Sequence, residues 1–287
     1  MTLIDTGLPG EFSLQRIQEG LQEAGLQLRD IKQIVITHIH RDHVGTAKEI
    51  QEKTNAKIYV HQLARHLVQG GLQEYERYVE FFHRFNEECG VEEELKYGGG
   101  PFIDCQWSNV QYVSDGDRIP MGGQLYEVIH TPGHTQNDIC IWNPETGNAF
   151  VGDFLFERLS SGALIAAPVT AEEERPKPLL QTIESYQRAK ALPFGTIYPG
   201  HGGPFTGHTD IIDERISRIY ARCEETLQTL KSEPQTVYEI CSVLYPKREG
   251  RTSFLGISQT QGYLDVLADQ GKVGIEHREN RVYYRRI

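Results

Sequence analysis

The sequence predicts an α/β sandwich, two β-sheets packed face to face with helices outside, carrying a helical insertion and a small C-terminal domain. Three observations predict it. Short apolar runs alternate with helical stretches at the start of the chain. A strand-rich stretch from Asn109 to Val151 is cut by turns at Asp115-Gly116, Gly122-Gly123 and Thr146-Gly147. Beyond Pro234 the pattern becomes helix, helix, hairpin.

The elements follow in order. Thr2–Ile4, Ile34–Thr37 and Lys57–Val60 read as buried strands, with helical segments Ser13–Ala24 and Thr46–Lys53 between them. The insertion, residues 62–105, carries Tyr75, Tyr78, Phe81, Phe82 and Phe85 at mixed three- and four-residue spacing. Such a stripe packs onto a core, and it also suits a cap whose apolar inner face shapes a substrate pocket. Gly98-Gly99-Gly100-Pro101 reads as its hinge. Leu179–Ala191 is a helix and Thr196–Tyr198 a closing strand. These place a main domain over residues 1–209. Residues 210–287 form the second domain: a long helix to about Lys231, helices Val237–Leu244 and Ser258–Gln270, and a hairpin around Glu279-Asn280. Helices followed by a hairpin read as a winged helix.

Composition narrows the function. The formal charge is −11, and from Lys231 onward nine basic residues face seven acidic ones, so the acidity lies in the main body. That argues against phosphate-backbone binding as its default role, though not against a local basic rim. The five cysteines are scattered with no CxxC pair, which suggests reduced thiols in the cytoplasm and no thiolate zinc site. No apolar run approaches the roughly 20 residues that span a bilayer. A small molecule is the expected partner, with nucleic acid second, no membrane, and a homodimer compatible with the C-terminal domain.

The chemistry concentrates in Thr37-His38-Ile39-His40-Arg41-Asp42-His43-Val44-Gly45, directly after an apolar strand. A loop leaving a buried strand is firmly anchored, yet its side chains can converge. His38 and His40 alternate with Ile39 and can face one side, while Asp42 and His43 reach a second point past the bend. Burying such groups unpaired would cost several kcal/mol, and a metal removes that cost. Three weaker signals share a design in which a ligand type stands just beyond a strand, with glycine beside it: Thr131-Pro132-Gly133-His134-Thr135, Val151-Gly152-Asp153 and Pro199-Gly200-His201-Gly202. His61, His66, His83, His130, His208 and His277 receive no role.

THIHRDHVG resembles the HxHxDH signature of the metallo-β-lactamase superfamily, and TPGHT, VGDF and YPGHGGP resemble its later motifs in the same order. LIDTG looks like the family's strand before its first helix. The resemblance covers roughly Thr2 to His201. It implies an αββα sandwich with two divalent ions at the edge between the sheets. Position by position, His38, His40 and His134 would hold one ion, Asp42, His43 and His201 the other, and Asp153 would bridge them. The ligands are hard or borderline, which suits zinc, with manganese or iron as alternatives. The implied mechanism is hydrolysis by a metal-bridging hydroxide, with Asp42 as the catalytic carboxylate that hydrogen-bonds the hydroxide and passes on a proton.

Departures from the family's branches bear on substrate. Glyoxalase II-like thioesterases usually carry a GCGR-type stretch after the bridging aspartate, where this chain has Phe154-Leu155-Phe156-Glu157-Arg158. Acyl-homoserine lactonases usually carry tyrosine where Phe156 stands, and flavodiiron proteins glutamate where His40 stands. PLLQTIESYQRAKAL before the last histidine motif, and the tail from Thr236 to Ile287, resemble a subgroup of YqjP-like hydrolases and β-lactamase-like protein 2, the latter an endoribonuclease acting on single-stranded RNA. The expected activity is therefore hydrolysis of a small ester or thioester. The alternatives are cleavage of single-stranded RNA on a basic rim of Lys247, Arg248, Arg251, Arg278, Arg281, Arg285 and Arg286, and lactone hydrolysis. Family members usually have strands before LIDTG, so 20–30 residues or so are expected upstream of Thr2.

Overall fold

The computed structural model describes residues 1–91, 96, 98–170, 173–246 and 251–287, with backbone alone at 251–253. Strands β1 (Thr2–Ile4), β2 (Gln33–Val35), β3 (Lys57–His61) and β4 (Val110–Val113) form one sheet in that order, all parallel. Parallel neighbours need crossovers, and α1 (Glu11–Glu23) and α3 (Ala47–Thr54) supply the first two. The second sheet runs β5 (Arg118–Met121), β6 (Gln124–His130), β7 (Ile139–Trp142), β8 (Ala149–Gly152) and β9 (Ile197–Pro199). It is antiparallel up to β8, where tight turns connect the strands, and β9 joins parallel after the helix α5 (Pro178–Lys190).

Burial divides the molecule into layers. Val35 and Val113 of the first sheet meet Ile119, Val128, Ile139 and Ile141 of the second in a core between the sheets. Leu14, Leu21, Ile50 and Ile58 bind α1 and α3 to the outer face of the first sheet. Ile129, Val151, Tyr186 and Ile212 bind α5 and α6 (His208–Thr229) to the outer face of the second. The result is the expected helix–sheet–sheet–helix stack.

The C-terminal region adds β10 (Gln235–Thr236), α7 (Val237–Leu244), α8 (Arg251–Asp269) and the hairpin β11 (Val273–Arg278) and β12 (Arg281–Arg286), with sheet order β10-β12-β11. Thr236 caps α7: its hydroxyl accepts from the Glu239 amide at 3.2 Å, and Glu239 Oε2 accepts from the Thr236 amide at 2.7 Å. A partly buried ion pair, Arg175 to Asp265 at 2.8 Å, ties the segment before α5 to α8.

The insertion departs from an open cap. Helix α4 (Arg65–Glu88) kinks at Gly71, where φ is 53°. Phe82 and Phe85 are 0% and 3% exposed, because they pack with Cys223, Ile240 and Leu264 of the C-terminal helices. Two rings sealed this way cannot form an inner wall over a substrate; they glue the insertion to the C-terminal helices. The Gly98–Pro101 stretch is also tethered, since the Tyr75 hydroxyl donates to the Gly100 carbonyl at 2.7 Å. The five cysteines are buried and free. Among the described residues no helix is long and apolar enough to cross a membrane.

Candidate metal centre

All seven residues singled out in the sequence lie together at one end of the two sheets. His38, His40, Asp42 and His43 follow β2, the last two on the short helix α2 (Arg41–Val44), where the sequence pattern alone predicts a loop. His134 follows β6, Asp153 follows β8 and His201 follows β9. Ligand-type atoms of three groups come within 4.8 Å of one another: His38, His40 and His134; His38, His43 and Asp153; Asp42, His43 and His201.

Two glycines make the convergence sterically feasible. A Cβ on Gly200 would lie 2.4 Å from Asp153 Oδ1 and 2.7 Å from His43 Cε1. Gly152 has φ of 49°, and a Cβ there would lie 2.5 Å from Thr37 Oγ1.

Hydrogen bonds behind the ring fix which imidazole nitrogen faces inward. Asp5 is the anchor. Its Oδ1 accepts from the Thr37 amide at 2.8 Å, and its Oδ2 accepts from the Thr37 hydroxyl at 2.7 Å and from His43 Nδ1 at 2.8 Å. The Thr37 hydroxyl proton is thus committed, so its oxygen accepts from His38 Nδ1 at 3.1 Å. His134 Nδ1 donates to the Gly162 carbonyl at 2.8 Å. Each of these imidazoles spends Nδ1 outward and presents Nε2 to the centre.

This arrangement passes a test for a cation. His38 Nε2 and His134 Nε2 stand 3.0 and 2.9 Å from the same atom, His40 Nδ1. A neutral imidazole has one N–H, so His40 can satisfy only one of the two lone pairs that face it. Nearby, His43 Nε2 and Asp153 Oδ1 are both buried and face each other at 3.3 Å without a well-formed hydrogen bond. Buried donors and acceptors are rarely left so, and a cation between them removes the deficit.

Electrostatics agrees. Burial and the neighbouring His134 and His43 press His40 down to about 3. Burial, with His40 next, holds His38 well below its ordinary value. Both rings are therefore neutral near pH 7, the form that ligates a metal. His43 differs: burial alone would lower it, but Asp153 and Asp5 outweigh burial and raise it to about 10. Asp153 is lowered, because His43, His134 and His201 overcome the effect of its burial. Asp42 and His201 stand at the open side, with side chains 39% and 49% exposed and 3.1 Å apart.

A profile of the metallo-β-lactamase superfamily matches residues 2–201, which is more than half of the chain. The chain belongs to the metallo-β-lactamase superfamily. It is 28% identical to the probable metallo-hydrolase YqjP of Bacillus subtilis, over 99% of this chain and 90% of that protein. It is 25% identical to a β-lactamase-like protein 2 homologue of Caenorhabditis elegans, over 96% of this chain and 78% of the relative. It is 28% identical to the hydroxyacylglutathione hydrolase GloC of Haemophilus influenzae, over 76% of this chain and 85% of that enzyme. Among solved structures, the metallo-β-lactamase family protein TTHA1429 of Thermus thermophilus superposes with a TM-score of 0.80 at 25% identity, covering 99% of this chain and 89% of that one. The superfamily fold and the resemblance to the YqjP and β-lactamase-like protein 2 subgroup are thus both borne out, and the chain is an enzyme of the hydrolase kind.

The sequence reading missed the residues that orient the ligands. Asp5 was visible in LIDTG but read only as part of a strand. Its φ of 54°, unusual for a residue other than glycine, turns it from β1 toward Thr37 and His43. The Gly162 carbonyl left no trace in side-chain patterns.

Proposed function

We propose that this protein hydrolyses a small ester or thioester at a centre of two divalent ions, zinc before manganese or iron. His38, His40 and His134 hold one ion, Asp42, His43 and His201 the other, and Asp153 reaches both. The observation that carries the hydrolase reading is the set of unmatched lone pairs around His40, paired with imidazoles whose outward nitrogens are already committed. Bound ions would supply Lewis acidity, activating water and polarising a carbonyl oxygen. The chain's own part is to keep His38 and His40 neutral, to set Nε2 of His43 and His134 inward, and to expose Asp42. There the Asp42 carboxylate accepts the proton that water loses and delivers it to the leaving group.

Ester or thioester chemistry is favoured by the likeness to GloC, a hydroxyacylglutathione hydrolase by name, and by the acidic main body, which repels polyanions. Phe156 supports the same ranking over a lactonase. It sits 6.1 Å from the His201 ring and offers no hydroxyl to a lactone oxygen. The second reading, cleavage of single-stranded RNA, is favoured by the exposed Arg278, Arg281, Arg285 and Arg286 on the β11–β12 hairpin of a winged-helix-like domain. Lys247 and Arg248 of that rim lie outside the described residues, as does the Arg251 side chain. The deciding experiment is kcat/KM of the metal-loaded enzyme on short acyl thioesters, esters, lactones and single-stranded RNA. A higher value on RNA than on any thioester or ester reverses the ranking.

A further inference from the structure

Between α5, α6 and α8 lies a cavity of about 420 Å³ that none of the seven candidate ligands lines. Three arginines of α6, Arg215, Arg218 and Arg222, line it at three- and four-residue spacing, which puts them on one helix face. No acidic residue is among the described residues that line it. Arg215 is 4% exposed, yet its Nε is buried with no hydrogen-bond partner. Its other nitrogens bond Glu214 at 3.0 Å and the Glu157 carbonyl at 3.2 Å. Glu214 is shared with Arg218 at 2.9 Å, and Glu225 pairs with Arg222. Three guanidinium groups thus share two carboxylates, leaving one positive charge in excess. Burying a guanidinium nitrogen unsatisfied is costly, so the wall calls for an acceptor that carries charge.

The rest of the wall says what accompanies that charge. The Arg222 guanidinium lies 5.2 Å from the Tyr245 ring centre and 5.8 Å from that of Tyr263. Leu179, Ile219 and Leu244 add apolar surface. A row of arginines beside flat rings and an apolar wall matches an anion attached to a planar body, and the volume suits a ligand of mononucleotide size.

We infer that this cavity is a binding site for a small organic phosphate with a flat body, separate from the metal centre. The site goes beyond the hydrolase reading and stands if that reading fails. It also touches the centre through one segment. The segment starts at Asp153, is held at Glu157 by Arg215, and reaches Ser160–Ala163 in the cavity wall, where the Gly162 carbonyl accepts the hydrogen bond from His134 Nδ1.

The test is equilibrium binding to the metal-loaded protein with AMP as probe, and adenosine and inorganic phosphate as comparators. AMP should bind, adenosine should bind at least about 10-fold more weakly, and phosphate should compete with AMP. Arg218→Gln and Arg222→Gln should each weaken AMP about 10-fold. Arg218 is largely exposed at its side chain, 59%, so its variant keeps the test open if Arg222→Gln does not fold. AMP binding that ignores both substitutions but vanishes in Asp42→Ala places the nucleotide on the metal centre and overturns the inference. Equal binding of adenosine and AMP, or no AMP binding at all, also overturns it. So does a single-stranded RNA that binds through the same arginines more tightly than AMP.

Discussion

Asp5 Oδ2 accepts the Nδ1 proton of His43 at 2.8 Å, and the same oxygen holds the Thr37 hydroxyl that positions His38. One carboxylate at the start of the chain therefore orients an imidazole in each proposed ion site. Asp5→Asn keeps the size and suits the left-handed backbone at that position. It removes the charge and one acceptor. Metal affinity or kcat should fall about 10- to 100-fold, and the metal-free protein should melt at a lower temperature, because Asp5 helps hold the charged His43 ring. Unchanged metal affinity would show that Asp5 serves only the fold.

Purified enzyme should contain about two ions per chain, and a chelator should abolish activity. Asp42→Ala should remain folded, because the Asp42 side chain is 39% exposed, and should lose one ion and nearly all turnover. Elemental analysis with a melting curve reads both. Full activity in that variant would sink the two-ion mechanism.

The His43 value of about 10 carries a pH signature. Below it the metal-free ring is an imidazolium, and a metal must displace its proton. Raising pH removes that competitor, so the ion that needs His43 should bind about tenfold more tightly per pH unit from pH 6 to 9. His40, at about 3, is already neutral across that range and adds no such slope. Competition with a chromophoric chelator, corrected for the chelator's own protonation, separates the two ions. Two equally flat profiles would contradict the protonated state of His43.

Gly200→Ala should be damaging although it adds one methyl group. That carbon would fall 2.4 Å from Asp153 Oδ1 and 2.7 Å from His43 Cε1. We expect about 1–3 kcal/mol of destabilisation and loss of at least one ion, read by denaturant unfolding and metal content. A variant with wild-type loading would mean that the β9 loop can move aside.

Phe82→Ala should cost about 3–5 kcal/mol of stability, since the ring is fully buried between the insertion and the C-terminal helices. KM should change little. A large rise in KM with unchanged stability would restore the insertion as a substrate wall.

The candidate ligand set was legible in the sequence because metal ligands must be particular side chains, and each stands just past a strand, with glycine directly before His134, Asp153 and His201. Strand positions were equally legible: Thr2–Ile4 matches its structural bounds, and most others lie within two residues. What stayed hidden depends on partners far along the chain. Asp5 reads as an ordinary strand-end aspartate until residue 43 is folded against it. Helix α2 is four residues long, too short for periodicity to register. The aromatic stripe of α4 was legible as apolar, but nothing local states that its complement lies on α6, α7 and α8. The arginines of α6 looked like an ordinary charged face, and only the packing of α8 encloses them.

The proposed ligands are shared between the layers, four following β2 in one sheet and three following β6, β8 and β9 in the other. During synthesis the two sites therefore come into being at different times. The group His38, His40 and His134 is complete once residue 134 has emerged, while the group containing His201 waits for nearly seventy residues more. On the two-ion proposal, the second ion can be captured only by a chain whose second sheet has received β9.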